Sequence, residues 1–134
     1  GQAEVALELA IKRGLERTAF GRPLVKLGGN PERIADARIA IDQARLLVQN
    51  AAWKLDQGGA LNALSEVSQI KVIVPNVAQQ VIDMAMQMHG GGGMTDDFPL
   101  AAMWTNARAL RLAVGPDEVH RGMVARIEIG QHRS

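Results

Sequence analysis

The sequence predicts an all-α fold: an up-and-down, four-helix-bundle-like domain with a fifth helix at its C-terminal end. Three observations point there. Apolar residues recur at three- and four-residue steps over long windows, as along Ile34, Ala37, Ile41, Ala44, Val48, Ala51 and Leu55. The breaks between these windows are short and made of glycine, proline and aspartate. The β-branched runs are short and fit helical spacing better than strict alternation, so no strands are expected.

The elements follow in order. A first helix is expected over residues 3–17, with Leu7, Ile11 and Leu15 on one face. "TAFGRPLVKLGGN" reads as a connecting loop. Asn30 is suited to cap and Pro31 to occupy the first turn, so a second helix starts there and ends at Gly58-Gly59. Besides its main stripe it carries Ile39, Leu46 and Trp53 at heptad spacing, and two stripes predict burial on two sides. A third helix spans residues 63–89, with Val67, Ile70, Val74, Val77, Val81, Met84 and Met88 as a bundle seam. Pro75 inside it is expected to kink it or loosen its hydrogen bonds. A fourth helix covers residues 100–112, "AVGP" breaks it, and a fifth runs from Pro116, Asp117 and Glu118 to near Ile129.

The composition narrows the function. The 134 residues suit one domain, read here as spanning 1–134, with 47% hydrophobic residues to build a core. Net charge is +1, from 15 basic and 14 acidic residues, so no field favours nucleic acid or an anionic membrane. The absence of cysteine excludes disulfides, thiolate catalysis and cysteine metal sites. No apolar run approaches the about 20 residues of a membrane span. The opening "GQAEVALELAIKRGLER" is helical from its first residues, without an N-cap, and is expected to be a piece of a longer chain. His132, in a frayed ending, is left out of the functional reading.

The stretch "QMHGGGGMTDDFP" (87–99) places four glycines, Gly90 to Gly93, where a helix stop needs one. That run is neither a Walker loop, for no Gly-Lys-Ser/Thr follows, nor a dinucleotide fingerprint, for no strand precedes it. Asp96-Asp97 suggests a turn and the cap of the next helix rather than a metal pair. His89, His120 and His132 lack metal spacing, and no metal site is expected. His89 suits a helix C-terminus, His120 a surface or packing place, and the methionine-rich segments a core.

Three segments together resemble one family. "RTAFGRPL" (17–24), "QMHGGGGMTDDFP" and "RLAVGPDEVHR" (111–121), in this order and spacing, resemble the C-terminal helical domain of the acyl-CoA dehydrogenases, in the branch whose motif reads Gly-Pro-Asp-Glu-Val-His. The resemblance covers nearly the whole chain. It implies non-covalent FAD, oxidation of an acyl-CoA thioester to the trans-2-enoyl-CoA, and a parent with an N-terminal helical and a middle β-domain. It implies a homodimer or homotetramer with FAD shared across a subunit interface, in the bacterial cytoplasm or, for a eukaryotic relative, in mitochondrion or peroxisome. Neither nucleic acid nor membrane is an expected partner.

By position, the resemblance assigns Arg17 to the FAD pyrophosphate, a role that suits a guanidinium. It sets Phe20 beside the adenosine part, Gln87 and Gly91 on the same cofactor, and Pro116 and Glu118 in a segment near FAD. The glycine run would then let backbone approach the cofactor. The family's usual base, a Glu or Asp just before a Gly, falls on Val114, which accepts no proton. Three readings stand: a base upstream of Gly1, a base-less subunit of a mixed assembly, or an inactivating change. Outside this reading stand a structural oligomerisation bundle without flavin, and relatives that oxidise nitroalkanes or bind damaged nucleic acid.

Overall fold

The structure, a computed structural model, describes residues 1–133. Its helices are α1 (Gln2–Glu16), α2 (Asn30–Asn62), α3 (Leu64–His89), α4 (Leu100–Leu110) and α5 (Asp117–Gln131). Helix α3 is central and packs against the other four. Ile82 of α3 and Leu100 of α4 are the largest fully buried side chains. Around them lie Ala6, Leu7 and Ala10 of α1, Ala37, Ile41 and Ala44 of α2, and Ala107 of α4. With alanine at so many contacts the helices approach closely, and dispersion is gained along whole turns.

The all-α expectation holds, with one small addition. Thr18–Ala19 (β1) and Arg22–Pro23 (β2) form an antiparallel two-residue ladder. Its turn is Phe20-Gly21, both at positive φ (53° and 76°), the two-residue hairpin geometry that matches strand twist. Phenylalanine is not a residue that announces such a turn, so the sequence pattern missed it. Asn30 does not cap α2: its Nδ2 donates to the Leu24 carbonyl at 2.8 Å and ties the preceding short 3₁₀ turn, Leu24–Lys26, to the helix start. Pro31 lies in the first turn as expected.

Helix α2 is interrupted at Gly59 (φ 75°, ψ −168°), where the stop is expected, and a last short turn runs on to Asn62. Pro75 is buried within α3 without interrupting it. Asn76 Nδ2 donates to the Val72 carbonyl at 2.6 Å, one turn back along the same helix. Leu15 is exposed, because the buried side of α1 turns onto Ala10 and Gly14. Asp96 and Asp97 lie in a turn but cap nothing; α4 begins after Pro99 without a side-chain cap. The clearest correction concerns α2. Ile39, Leu46 and Trp53 are all exposed, Leu46 at 65%, so within this chain the helix is buried on one side only.

Ion pairs fasten the elements. Glu4 of α1 accepts from Arg38 and Arg45 of α2, and Lys54 reaches Glu66 at 2.6 Å across the α2–α3 link. The hydrogen bonds from Arg38 and Arg45 lower the Glu4 pKa from 4.5 to about 2. The Lys54 hydrogen bond likewise lowers that of Glu66.

Candidate functional site

Arg17, Phe20, Gln87 and Gly91 gather at one end of the bundle. Gly14 of α1 packs on the Met88 side chain of α3, so the C-terminal ends of these two helices are neighbours. Arg17 follows α1 in an extended conformation, its N–H donating to the Arg13 carbonyl at 3.0 Å and its carbonyl accepting from Leu24 N–H at 2.8 Å. The backbone is fixed while the side chain is exposed. Ion pairs among the described residues engage Arg38, Arg45, Lys54, Arg111 and His132, and leave this guanidinium uncommitted. Phe20 stands at the hairpin tip, 97% exposed. A large aromatic held in a left-handed conformation and touching little of its own chain is costly, and such features cluster where something else binds. Gln87, also exposed, lines a groove of about 380 Å³ between α2 and α3 together with Arg33, Asp36, Gln80 and Asp83. Arg33 and Asp36 were not singled out from sequence; the start of α2 at Asn30-Pro31 is the signal that sets them in its first turns, facing the end of α3.

The glycine run, a short 3₁₀ turn over Gly90–Met94, resolves residue by residue. Gly90 ends α3 at φ 63°. A Cβ on Gly93 would come 2.6 Å from the Met86 carbonyl oxygen, so packing of the turn on α3 demands glycine. A Cβ on Gly92 would meet the Phe98 ring at 3.3 Å. Gly91 differs: it is exposed and a Cβ there would meet nothing within 4 Å. Within the run, the chain's own fold explains Gly90, Gly92 and Gly93 and leaves Gly91 without an internal reason. His89 is buried, its Nδ1 donating to the Ala85 carbonyl at 2.8 Å and its ring meeting Phe98 edge-on at 4.6 Å. The Arg13 guanidinium lies over the Phe98 ring, 5.6 Å from its centroid, and these contacts brace the turn.

Val114, Pro116 and Glu118 form a second group, on the α4–α5 link, and the structure does not bring them to the first. The link is tied to α3 at Asn76, eleven residues and so about 16 Å along the helix from Gln87. Val114 has φ 54° and is 89% exposed, at the rim of an apolar pocket of about 440 Å³ lined by Val48, Val67, Ile70, Val74 and Leu110. Pro116 precedes α5 and Glu118 is exposed in its first turn. The carboxylate nearest Val114 in sequence, Asp117, is buried and bonded to Arg111 at 2.9 Å and Asn76 at 3.1 Å. Burial pushes its pKa up, but the Arg111 and Asn76 hydrogen bonds, with nearby Arg121, leave it below the ordinary value. A carboxylate so committed is a strut and not a free base. Met88 and Met103 are core residues and Met94 is exposed, so the methionines build no single wall. Among the described residues no cluster of His, Cys, Asp or Glu suited to a metal occurs, and no helix is long and apolar enough to cross a membrane.

The helical bundle thus carries a free guanidinium, an exposed aromatic and bare glycine backbone at one end, and an apolar pocket at a separate link. Comparison with known proteins gives its family. Residues 1–128 match the model of the acyl-CoA dehydrogenase C-terminal domain. The chain is 48% identical over 134 residues to the probable acyl-CoA dehydrogenase FadE2 of Mycobacterium tuberculosis, covering all of this chain and 33% of that protein. A solved structure from Mycobacterium abscessus, assigned as an acyl-CoA dehydrogenase, is 72% identical with a TM-score of 0.97, over 98% of this chain and 32% of that one. A structure of the FAD complex of PigA is 25% identical with a TM-score of 0.88, over 98% of this chain and 33% of that one. The chain belongs to the acyl-CoA dehydrogenase family, as its C-terminal helical domain. It spans about a third of the length of these relatives.

Proposed function

We propose that this domain binds FAD, completes the flavin site of a longer acyl-CoA dehydrogenase, and assembles with a second copy in doing so. The observation that carries the reading is the contrast at Gly91, a glycine open to solvent and unexplained by internal packing, flanked by uncommitted Arg17 and exposed Phe20 and Gln87. The residues present fit the group. A guanidinium fork suits a pyrophosphate, an exposed aromatic suits an adenosine ring, and bare backbone admits close approach. The relative named as an acyl-CoA dehydrogenase and the fold neighbour complexed with FAD support it.

Bound flavin would supply hydride acceptance at N5. This chain would contribute orientation and exclusion of water, through Arg17, Phe20, Gln87 and Gly91 at one end of the bundle and through the α4–α5 segment carrying Pro116 and Glu118. The α-proton of the acyl-CoA needs a carboxylate within hydrogen-bond reach, and Val114 offers none. We infer that the base comes from residues outside this chain, and that these 134 residues alone do not turn over. A base-less subunit of a hetero-oligomer is the second reading, and it too rests on Val114.

The test is the visible spectrum of the full chain, followed by anaerobic addition of acyl-CoAs of graded length. A flavin band that bleaches with one of them supports the dehydrogenase with a base elsewhere. A band that bleaches only after Val114→Asp or Val114→Glu supports the base-less subunit. No flavin, even after reconstitution, overturns the proposal.

A further inference from the structure

The α4–α5 link is held more tightly than a surface turn requires. Arg111 Nε donates to Asp117 Oδ2 at 2.9 Å and joins its two ends. Asn76 Nδ2 donates to the same oxygen at 3.1 Å, and Arg111 Nη1 donates to Gln79 Oε1 at 2.9 Å, so both halves of the pair are pinned to α3. The Asp117 N–H donates to the Arg111 carbonyl at 3.1 Å. Lys71 Nζ reaches the Leu110 carbonyl at 3.3 Å, and His120 Nε2 lies 3.2 Å from the Val114 carbonyl oxygen.

Within this frame Val114 (φ 54°) and Gly115 (φ 95°) are consecutive left-handed residues. For a β-branched residue that conformation is an outlier, and it persists only where the surroundings over-determine it. The Asp117 side chain is 5% exposed, so the frame is bought with a buried charge that must stay paired.

We infer that Arg111 and Asp117 are positioning residues: their ion pair, pinned to α3 by Asn76 and Gln79, holds the left-handed Val114–Gly115 turn at the rim of the apolar pocket, whose lining suits the acyl chain of the substrate, and so sets how that chain seats. This rests on the proposed function, since neither side chain touches substrate. A plain helix-start ion pair would hold α5 without affecting the pocket rim, and the two differ in what the turn does when the pair is cut.

The experiment uses the full chain with its flavin, and the variants Asp117→Asn, Arg111→Gln, and each combined with Val114→Gly. Amide hydrogen exchange of the 110–120 peptide is expected to quicken about tenfold on cutting the pair, with peptides of α1 unchanged. Val114→Gly, by relaxing the turn, is expected to restore most of the protection. Arg111→Gln cuts the pair from its other side should Asp117→Asn fail to fold. The dissociation constant of an unreactive acyl-CoA thioether, read from its shift of the flavin band, is expected to rise about tenfold while flavin stays bound. Unchanged exchange, or no rescue by Val114→Gly, overturns the clamp. Quickened exchange with unchanged thioether affinity reduces the pair to a structural one and overturns the positioning role. If the unsubstituted chain shows no flavin response at all, the proposed function fails and the positioning role with it, while exchange still decides whether the pair holds the turn.

Discussion

Gly91 and Gly93 are two residues apart and carry opposite expectations. Alanine at Gly93 would drive a methyl against the Met86 carbonyl, so Gly93→Ala should lower the thermal midpoint by several degrees. Alanine at Gly91 meets only solvent, so Gly91→Ala should leave the midpoint within about a degree while weakening FAD binding in the full chain. A scanning calorimetry trace and a flavin titration on both variants check the pair together. Val114 is the other residue whose backbone speaks. Relief of its left-handed strain should outweigh the added freedom of glycine, and Val114→Gly is expected to stabilise by about 1 kcal/mol in chemical denaturation. The sequence named Gly91 and Val114 through motif position. It did not separate Gly91 from Gly93, since both are glycines in one run and only the packing of the turn on α3 distinguishes them.

Among the elements, α3 was legible as a helix from periodicity, but its expected seam held only in part: Val77, Val81 and Met88 are buried, Val67 and Val74 are exposed, and the buried Ile82 and Ala85 lie off the stripe, because a central helix packed on four others has more than one buried face. What failed was anything set by a non-local choice. Asn30 had two acceptable hydrogen-bond partners, and a carbonyl of the preceding 3₁₀ turn won over its own helix. Phe20-Gly21 made a hairpin turn that local chemistry does not favour. The Arg111–Asp117 pair was visible only once α3 supplied Asn76 and Gln79. The two stripes of α2 were correctly seen as apolar, but sequence reports hydrophobicity and not which neighbour covers it. The contrast is measurable: Ile82→Ala at the centre of α3 should cost about 2–5 kcal/mol, whereas Leu46→Ala on the exposed stripe should cost this fold less than about 0.5 kcal/mol.

At the scale of the molecule, the exposed stripe and the acidic side chains make separate predictions. We propose that Ile39, Leu46 and Trp53 are covered when the full chain assembles, so Leu46→Glu should lower its mass by light scattering; an unchanged mass would assign the stripe to another surface. Glu4, Glu66 and Asp117 all have pKa values lowered by their partners. Groups lowered in this way stabilise the fold above their unfolded pKa and lose that contribution as pH falls through the folded one. For Glu4 the window runs from 4.5 down to about 2. Acid unfolding should therefore begin below about pH 4.5, and Glu4→Gln should flatten the loss across that window. Added salt should weaken the Glu4 contribution most, because its partners are exposed to solvent.

In the proposed function, the bundle end carrying Arg17 receives the phosphates of FAD. The most direct measurement is the FAD dissociation constant of the full chain and of its Arg17→Gln variant, at low and at high salt, with the thermal midpoint of the flavin-free protein as control. Arg17→Gln should show at least a tenfold weaker constant, a smaller salt dependence, and an unchanged midpoint, since this guanidinium is uncommitted within its own chain. Equal constants for the two proteins at both salts would contradict it, and would leave Arg17 a solvated charge at the end of a helix.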